Sequence, residues 1–291
     1  MLRQEKGILL LALGHGYYGR MAYNLAMSIK AIDPNAHITL VYTESAISHI
    51  NQRNMWVFDN KLQIDDQSYP FGAKLLLNKL TPYERTLYID VDTLWVNKYG
   101  PSKLLEQLKG VSFTGITEGF HDYKNPEKSD PSKYYFFWAD LDEIKKVHNL
   151  GGKIYQWRSE FIYFENCTEA NELFRIAREI YGNHGLKTVK MFGDHIPDEL
   201  AFNISAAIVD THPHQYKWQP SYWDRLYGGH MPGIEELQYK YYVISCGSNA
   251  SFGALKRVYD RLCAASAYKL KLQHVFPLIS KKEMLTNRQL M

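Results

Sequence analysis

Residues 85–96 read Arg-Thr-Leu-Tyr-Ile-Asp-Val-Asp-Thr-Leu-Trp-Val, and the fold of the whole chain can be worked out from this stretch. The segment from Thr86 to Asp90 has the composition of a buried strand, and Asp90 and Asp92 stand where it runs out into a turn. Carboxylates at positions i and i+2 of an extended segment point to the same side and can share one hard cation. Mg²⁺ or Mn²⁺ held in this way keeps coordination positions open for phosphate oxygens, so the stretch predicts a nucleotide diphosphate site. An acidic turn that only caps the next element is the alternative interpretation.

Strands and helices alternate on both sides of this stretch, which predicts an α/β fold with a mostly parallel sheet covered by helices. The aromatic stretch beyond Thr211 is predicted to be irregular, and the polar residues 118–133 are predicted to form a loop or a lid. The predicted strands are residues 7–13, 37–42, 86–90, 111–116, 160–165 and 241–245, and the predicted helices are residues 19–32, 71–80, 169–181, 197–208 and 254–267.

Composition and charge place the chain among ordinary globular proteins. Of its 291 residues 45% are hydrophobic and 22% are charged, which excludes a disordered chain and a fibrous repeat. The net charge is +3, and the basic residues concentrate after position 250. We therefore predict one catalytic domain over residues 1–250 and a basic helical extension over 251–291. The extension predicts contact with an anionic surface or a nucleic acid, with a solvated helix face as the alternative, through Lys256, Arg257, Arg261, Lys269 and Lys271.

Cysteine usage and hydropathy bear on the compartment. The three cysteines lie far apart with no Cys-x-x-Cys pair, which argues against a zinc cluster or a disulfide framework. The apolar run that ends at Leu13 is short and lacks a small-residue cleavage site, so we interpret it as the first strand rather than a signal peptide. No apolar segment approaches the roughly 20 residues that span a bilayer. The expected location is the cytoplasm.

Several features at fixed spacings carry a resemblance to a known family. Lys74 stands sixteen residues before Asp90, Tyr18 and Arg20 follow the first strand, and residues 198–203 read Asp-Glu-Leu-Ala-Phe-Asn. Over about residues 8–203 the chain resembles family 8 of the retaining glycosyltransferases, the group of glycogenin and the bacterial lipopolysaccharide galactosyltransferases. That family has the GT-A fold, a nucleotide-sugar domain built around an Asp-x-Asp metal site.

The resemblance implies a retaining transfer of a hexose or related sugar from a donor such as a UDP-sugar, with Mn²⁺ or Mg²⁺ held by the two aspartates. It implies that the lysine contacts the donor and that the helix start at residue 198 lines the donor sugar, which makes Lys74, Asp198 and Glu199 the predicted catalytic residues. The acceptor is a glycan, a lipid-linked glycan or a modified nucleic-acid base. The residues predicted to bind the donor nucleotide and its metal are Ala12, Leu13, Gly14, Tyr18, Arg20, Asp90, Val91 and Asp92.

The sequence departs from the family at four places, one of which is Phe202, where the family has leucine. Glu199 replaces a glutamine and introduces a nucleophile or a charge stabiliser for an oxocarbenium-like centre. Consecutive helical residues point about 100° apart, so we expect Asp198 or Glu199 to face the reaction and the other to cap the helix. The family's Asn-Ser-Gly appears as Arg-Ser-Glu at residues 158–160. Serine stands at position 245 where the family has a metal-binding histidine, so the predicted third ligand is His230, with the pair His212 and His214 as a weaker choice.

Other functions remain open on the sequence. Residues 14–19 read Gly-His-Gly-Tyr-Tyr-Gly after a strand, and Glu44 ends the second strand, which is the pattern of an NAD(P)-dependent oxidoreductase. That reading leaves Lys74, the two aspartates and the helix at Asp198 without a function. A nucleotidyltransferase and a non-catalytic nucleotide-binding module are further alternatives.

Overall fold

The bounds of the strands and helices are taken from a computed structural model, which describes residues 3–48, 50, 52–65, 72–130, 137–191, 196–223, 233–245 and 253–272. The strands are β1 (Gln4–Ala12), β2 (Ile38–Tyr42), β3 (Asn60–Gln63), β4 (Tyr83–Ile89), β5 (Thr93–Trp95), β6 (Phe113–Asp122), β7 (Lys153–Glu165), β8 (Gln219–Trp223) and β9 (Tyr241–Ser245). The α-helices are α1 (Gly16–Ile32), α2 (Glu44–Ile47), α3 (Leu77–Leu80), α4 (Pro101–Gln107), α5 (Leu141–His148), α6 (Thr168–Gly182), α7 (Asp198–Ile208), α8 (Ile234–Lys240) and α9 (Gly253–Lys269), and the 3₁₀ helices are Gln52–Val57, Ala73–Leu76 and Pro126–Lys128.

The chain divides into two units. The first unit comprises residues 1–6, 69–88 and 108–215, and the second comprises residues 7–68, 89–107 and 216–291. Strand β1 begins in the first unit and ends in the second, and the last residue of β4, Ile89, also belongs to the second.

In the second unit the strand order is β3-β2-β1, and both neighbouring pairs are parallel. The apolar residues of β1 and β2 are buried on both faces, as expected for a parallel sheet covered by helices. A three-stranded sheet in the order β5-β9-β8 belongs to the same unit. Helix α9 packs on α1, where the Asn24 amide donates a hydrogen bond to the Tyr259 hydroxyl at 3.0 Å.

In the first unit the strand order is β4-β7-β6, and β6 pairs antiparallel with β7. Helices α6 and α7 pack on each other and α7 packs on β7. The rings of Phe113, Phe174 and Phe202 fill the space between these elements with centroids 5.7–6.0 Å apart. This aromatic core fixes α7, and therefore the acidic residues at its start, against β7.

The predicted α/β class with a mostly parallel, helix-covered sheet is confirmed, and so are the strands near residues 7–13, 37–42, 86–90 and 241–245 and the helices near 19–32, 169–181, 197–208 and 254–267. The division into residues 1–250 and 251–291 stays a prediction. In the part of the chain that the structure describes, no helix is both long and apolar enough to cross a bilayer.

Three expectations about local structure are wrong. The predicted helix over residues 71–80 is a 3₁₀ helix followed by the single turn α3, after Gly72 in the left-handed region at φ 82°. The predicted loop at 118–133 is a strand as far as Asp122, because this segment pairs with β7 and the charge of Glu118 is neutralised there. The region beyond Thr211 contains β8, which pairs in parallel with β9.

Candidate active site

Asp90 and Asp92 lie in the turn that joins β4 to β5, in the second unit. The backbone amide and the hydroxyl of Thr93 both donate to the carbonyl of Asp90, at 3.2 and 2.8 Å, which closes the turn. Val91 is only 6% exposed, whereas both aspartates are partly exposed. A buried residue thus separates the two partly exposed carboxylates, and their shared cation stays a prediction.

The negative charges of Asp90 and Asp92 both act on Tyr18. It lies in the first turn of α1, where its ring packs against Tyr17 with centroids 4.1 Å apart. Burial is the largest cause that raises the pKa of Tyr18, followed by Tyr17 and then by the negative charges of Asp92 and Asp90. The charges of the two predicted metal ligands therefore act on Tyr18, which is predicted to bind the donor nucleotide.

The turn after β1 carries the other predicted nucleotide residues. Ala12 ends the strand, Leu13 follows it, and Gly14 adopts the left-handed conformation at φ 80°. The Gly14 amide donates to the Thr43 hydroxyl at 2.9 Å, so the turn is fastened to the end of β2. Arg20 lies in α1 and is partly buried.

The third metal ligand stays a prediction. His230 lies outside the described residues, as do Cys246 and Gly247. Ser245 stands opposite Thr93 in the antiparallel pair of β5 and β9, next to the acidic turn. Among the residues that the structure describes, no group of three or more His, Cys, Asp or Glu side chains could hold a metal ion. The carboxylates of Asp90 and Asp92 are hard oxygen donors and fit Mg²⁺ or Mn²⁺ in kind, with further positions to be filled by other oxygens.

The histidine pair at 212 and 214 has other contacts. The Nδ1 atom of His212 lies 3.1 Å from the Tyr155 hydroxyl, and its Nε2 atom lies 3.7 Å from Asp210. His214 donates its backbone amide to Thr114 at 3.1 Å. These two histidines therefore have structural contacts within the first unit.

The first unit brings together Lys74, Asp198 and Glu199 around one serine. Lys74 Nζ donates to the Ser159 hydroxyl at 3.0 Å and lies 3.8 Å from Asp198 Oδ2. The Ser159 hydroxyl donates in turn to Asp198 Oδ1 at 3.3 Å. Lys74 lies in a 3₁₀ helix, Ser159 in β7 and Asp198 at the start of α7, so three distant segments of sequence meet here.

Glu199 joins the same group through its two oxygens. Its Oε2 atom accepts a hydrogen bond from the Trp138 indole at 2.9 Å, and its Oε1 atom accepts one from the Ser159 amide at 3.4 Å. Burial raises the pKa of Glu199 to about 7, with a further contribution from the charge of Asp198, while Trp138, Arg158 and Lys74 act in the opposite direction. The carboxyl group is thus poised to change its charge near neutral pH.

Which of Asp198 and Glu199 faces the reaction stays a prediction. Pro197 is the residue that caps α7, and both acidic side chains reach Ser159, one through its hydroxyl and the other through its amide. Asp198 Oδ1 also accepts a hydrogen bond from the Glu199 backbone amide at 3.0 Å, at the start of the helix.

Residues 158–160, which differ from the family's Asn-Ser-Gly, contribute to a buried ion network. Arg158 contacts Glu118 at 2.8 Å and Glu160 at 2.5 Å, and all three side chains are buried. Burial raises the pKa of Glu118 to about 6, against the attraction of Arg158. Sequence reasoning missed Glu118 and Trp138; it noted Ser159 only as a member of the altered triplet.

Comparison with known proteins gives structures alone: no family model and no curated protein sequence matches the chain. The apo structure of the bifunctional glycosyltransferase WbbM matches with a TM-score of 0.57 and 13% sequence identity, and the match covers 92% of this chain and 51% of the WbbM chain. An active-site mutant of LgtC matches with a TM-score of 0.55 and 11% sequence identity, and the match covers 89% of this chain and 95% of the LgtC chain. The galactosyltransferase LgtC in complex with donor and acceptor sugar analogues matches with a TM-score of 0.52 and 11% sequence identity, and the match covers 93% of this chain and 97% of the LgtC chain.

The chain spans about half the length of the WbbM chain and nearly all of LgtC. At these identities the likeness shows the fold: the chain has the GT-A-like α/β fold of solved glycosyltransferase structures, as the resemblance to family 8 implied.

Proposed function

We propose that the chain is a glycosyltransferase that moves a hexose or related sugar from a nucleotide diphosphate donor, UDP in the first instance, to an acceptor hydroxyl or base. The observation that carries the proposal is the meeting of Lys74, Ser159, Asp198 and Glu199, because the resemblance assigns three of these residues to the donor. The shared fold with LgtC and WbbM supports the same reaction class.

In this proposal the acidic turn binds the diphosphate. Asp90 and Asp92 would hold Mn²⁺ or Mg²⁺, which supplies neutralisation of the charge that develops on the diphosphate leaving group. Tyr18, in the first turn of α1, presents an aromatic ring to the base. Arg20 adds a fixed positive charge for the phosphates.

The cluster around Ser159 acts on the sugar. Asp198 accepts hydrogen bonds from sugar hydroxyls, and Lys74 holds that carboxylate in place while adding positive charge. Glu199, in its ionised form, stabilises the positive charge at the anomeric carbon or attacks it as a nucleophile. Retention of the anomeric configuration follows from the family resemblance.

The second candidate is an NAD(P)-dependent oxidoreductase, because Gly14 stands in the turn between β1 and α1, and Gly16 and Gly19 stand in the first residues of α1. Bulky rings occupy the same helix start, since Tyr17 and Tyr18 pack against each other there. The oxidoreductase reading also gives no role to the cluster around Ser159.

A ligand-dependent unfolding experiment separates the two. We expect UDP with Mn²⁺ to raise the Tm, and NAD to leave it unchanged, since a ligand that binds only the folded state stabilises it. The variants Asp90→Asn and Asp92→Asn should abolish the part of this rise in Tm that depends on Mn²⁺. The control Asp210→Asn, at an exposed position of the first unit, should keep the full rise. Stabilisation by NAD but not by UDP would overturn the proposal. A mass-spectrometric screen of nucleotide sugars then identifies the donor.

The acceptor can be approached through the basic end of the chain. Arg257, Arg261 and Lys269 are exposed on α9. Co-sedimentation with anionic liposomes is expected for a lipid-linked glycan acceptor. Nucleic-acid binding that falls steeply with added salt is expected for a modified base. Neither result is expected if the acceptor is a free glycan.

A further inference from the structure

Trp138 holds an unusual backbone conformation. Its φ of 65° lies in the left-handed region, which a bulky aromatic residue enters at a cost on the order of 1–3 kcal/mol. The conformation is held by neighbouring hydrogen bonds: the Trp138 carbonyl accepts the Lys190 amide at 2.7 Å, and the Asp140 amide donates to Thr188 at 2.9 Å. Strain of this kind persists where the surroundings impose it, and it concentrates at functional sites.

The strained residue aims its indole at Glu199. The indole nitrogen donates to Glu199 Oε2 at 2.9 Å, and an indole N–H can only donate. The second oxygen, Oε1, faces the Ser159 amide, which is also a donor. Both contacts are therefore strongest when the carboxylate is ionised.

We propose that Trp138 is a positioning residue that fixes the orientation of the Glu199 carboxyl group and favours its ionised form. The consequence for catalysis rests on the proposed glycosyltransferase function, in which the ionised form acts at the anomeric carbon. Neither the resemblance nor the residue pattern pointed to this tryptophan.

The charged groups around Glu199 show why an uncharged hydrogen-bond donor, the Trp138 indole, matters. Asp198, next to it on α7, disfavours the ionised form. Arg158 from β7 and Lys74 from the 3₁₀ helix favour it, but Lys74 also pairs with Asp198 and Arg158 pairs with two other carboxylates. The positive charges are thus shared, and the indole is a hydrogen-bond donor committed to Glu199 Oε2.

The test replaces the indole without removing an aromatic ring. In Trp138→Phe we expect the pKa of Glu199 to rise by about one unit, since a hydrogen bond to a charged group contributes about 1.5–3 kcal/mol and one unit corresponds to about 1.4 kcal/mol. The pKa is read in the free protein by NMR titration of ¹³C-labelled glutamate carboxyls, with the Glu199 signal assigned by its loss in Glu199→Gln. The control Trp56→Phe, at a half-exposed tryptophan of the second unit, should leave that pKa unchanged.

A second measurement uses the wild-type protein in case Trp138→Phe does not fold. One indole ¹⁵N–H resonance should titrate with the same pKa as the Glu199 carboxyl and should stop titrating in Glu199→Gln. The absence of any such resonance, or an unchanged pKa in folded Trp138→Phe, overturns the proposal.

Kinetic measurements distinguish a failure of the positioning role of Trp138 from a failure of the proposed glycosyltransferase function. The acidic limb of the kcat profile should move upward with the pKa in Trp138→Phe, while KM for the donor changes little, and the double variant with Glu199→Gln should show no further shift. If the NMR pKa moves but no nucleotide sugar is turned over by the wild-type protein, the positioning role stands and the proposed function fails.

Discussion

Lys74 and Asp198 form an ion pair with 3.8 Å between the ammonium nitrogen and the nearer carboxylate oxygen, and Ser159 bridges them by accepting from one and donating to the other. Both side chains are partly exposed, so the pair contributes little to stability by itself. The pair instead holds two oppositely charged groups in fixed positions, as the proposed function requires of residues that bind the donor.

We therefore expect Lys74→Met to lower kcat by about 100-fold, the usual effect of removing one preorganised electrostatic group from an active site. The free energy of unfolding should change by less than about 1 kcal/mol. Steady-state kinetics and urea unfolding measure the two effects. Lys79→Met, at an exposed position of α3, is the matched control and should retain full activity. Equal kcat values in the two variants would contradict the role given to Lys74.

The raised pKa of Glu199 predicts a pH dependence of stability with a defined sign. Its pKa is about 7 in the folded protein against an ordinary value of 4.5, so the folded state binds the proton more tightly. The stabilising contribution is complete below about pH 4.5 and is lost as the pH rises to about 7. Compared with Glu199→Gln, the wild-type protein should lose about 3 kcal/mol of unfolding free energy across that interval. Parallel stability curves for the two proteins would show that Glu199 does not titrate there.

Two arginines test the difference between buried and exposed ion networks. Arg158 contacts Glu118 and Glu160 in the interior, and Arg175 contacts Glu172 and Glu179 on the surface of α6. Arg158→Met should lower the unfolding free energy by about 3 kcal/mol, because it leaves two buried carboxylates uncompensated. Arg175→Met should lower it far less, because the exposed pairs are screened by solvent.

The loss in Arg158→Met should also depend on pH. Without the guanidinium the pKa of Glu118, already raised to about 6, rises further, so the carboxyl can protonate and lose its charge at pH 5. Urea unfolding at pH 5 and pH 8 should therefore give the smaller loss at pH 5. A loss that is equal at both values would mean that the carboxylates find other partners.

Gly19 is a further point where sequence and packing can be compared. A Cβ at this position of α1 would lie 2.1 Å from the Ala46 carbonyl oxygen and 3.1 Å from Ile50 Cδ1. Gly19→Ala should therefore lower the unfolding free energy by about 2 kcal/mol, because backbone must move. Gly182→Ala, where nothing lies within 4 Å, should change it by less than about 0.5 kcal/mol. Equal Tm values for the two variants would argue against close packing as the reason for this glycine.

The sequence predicted those parts of the site that depend on local patterns. Asp90 and Asp92 were placed correctly after a strand because apolar runs flank them, and α7 was bounded within a residue because Pro197 precedes it. Such signals lie within a few residues of the side chains that they concern.

The parts that sequence reasoning missed depend on distant partners. Residues 118–122 look like a polar loop, but Glu118 is neutralised by Arg158 on the neighbouring strand. Trp138 reaches Glu199 from a segment before α5, and nothing near position 138 indicates that partner. Local periodicity carries no information about which charge or donor will arrive from another strand.

The pairing of β5 with β9 has a consequence for biosynthesis. Thr93, which closes the turn of Asp90, finds its strand partner at Ser245, far along the chain. A nascent polypeptide that has emerged only through β7 already contains both aspartates but lacks the neighbour that braces their turn. The proposed nucleotide site should thus be completed late in synthesis, after the Ser159 cluster has all of its members.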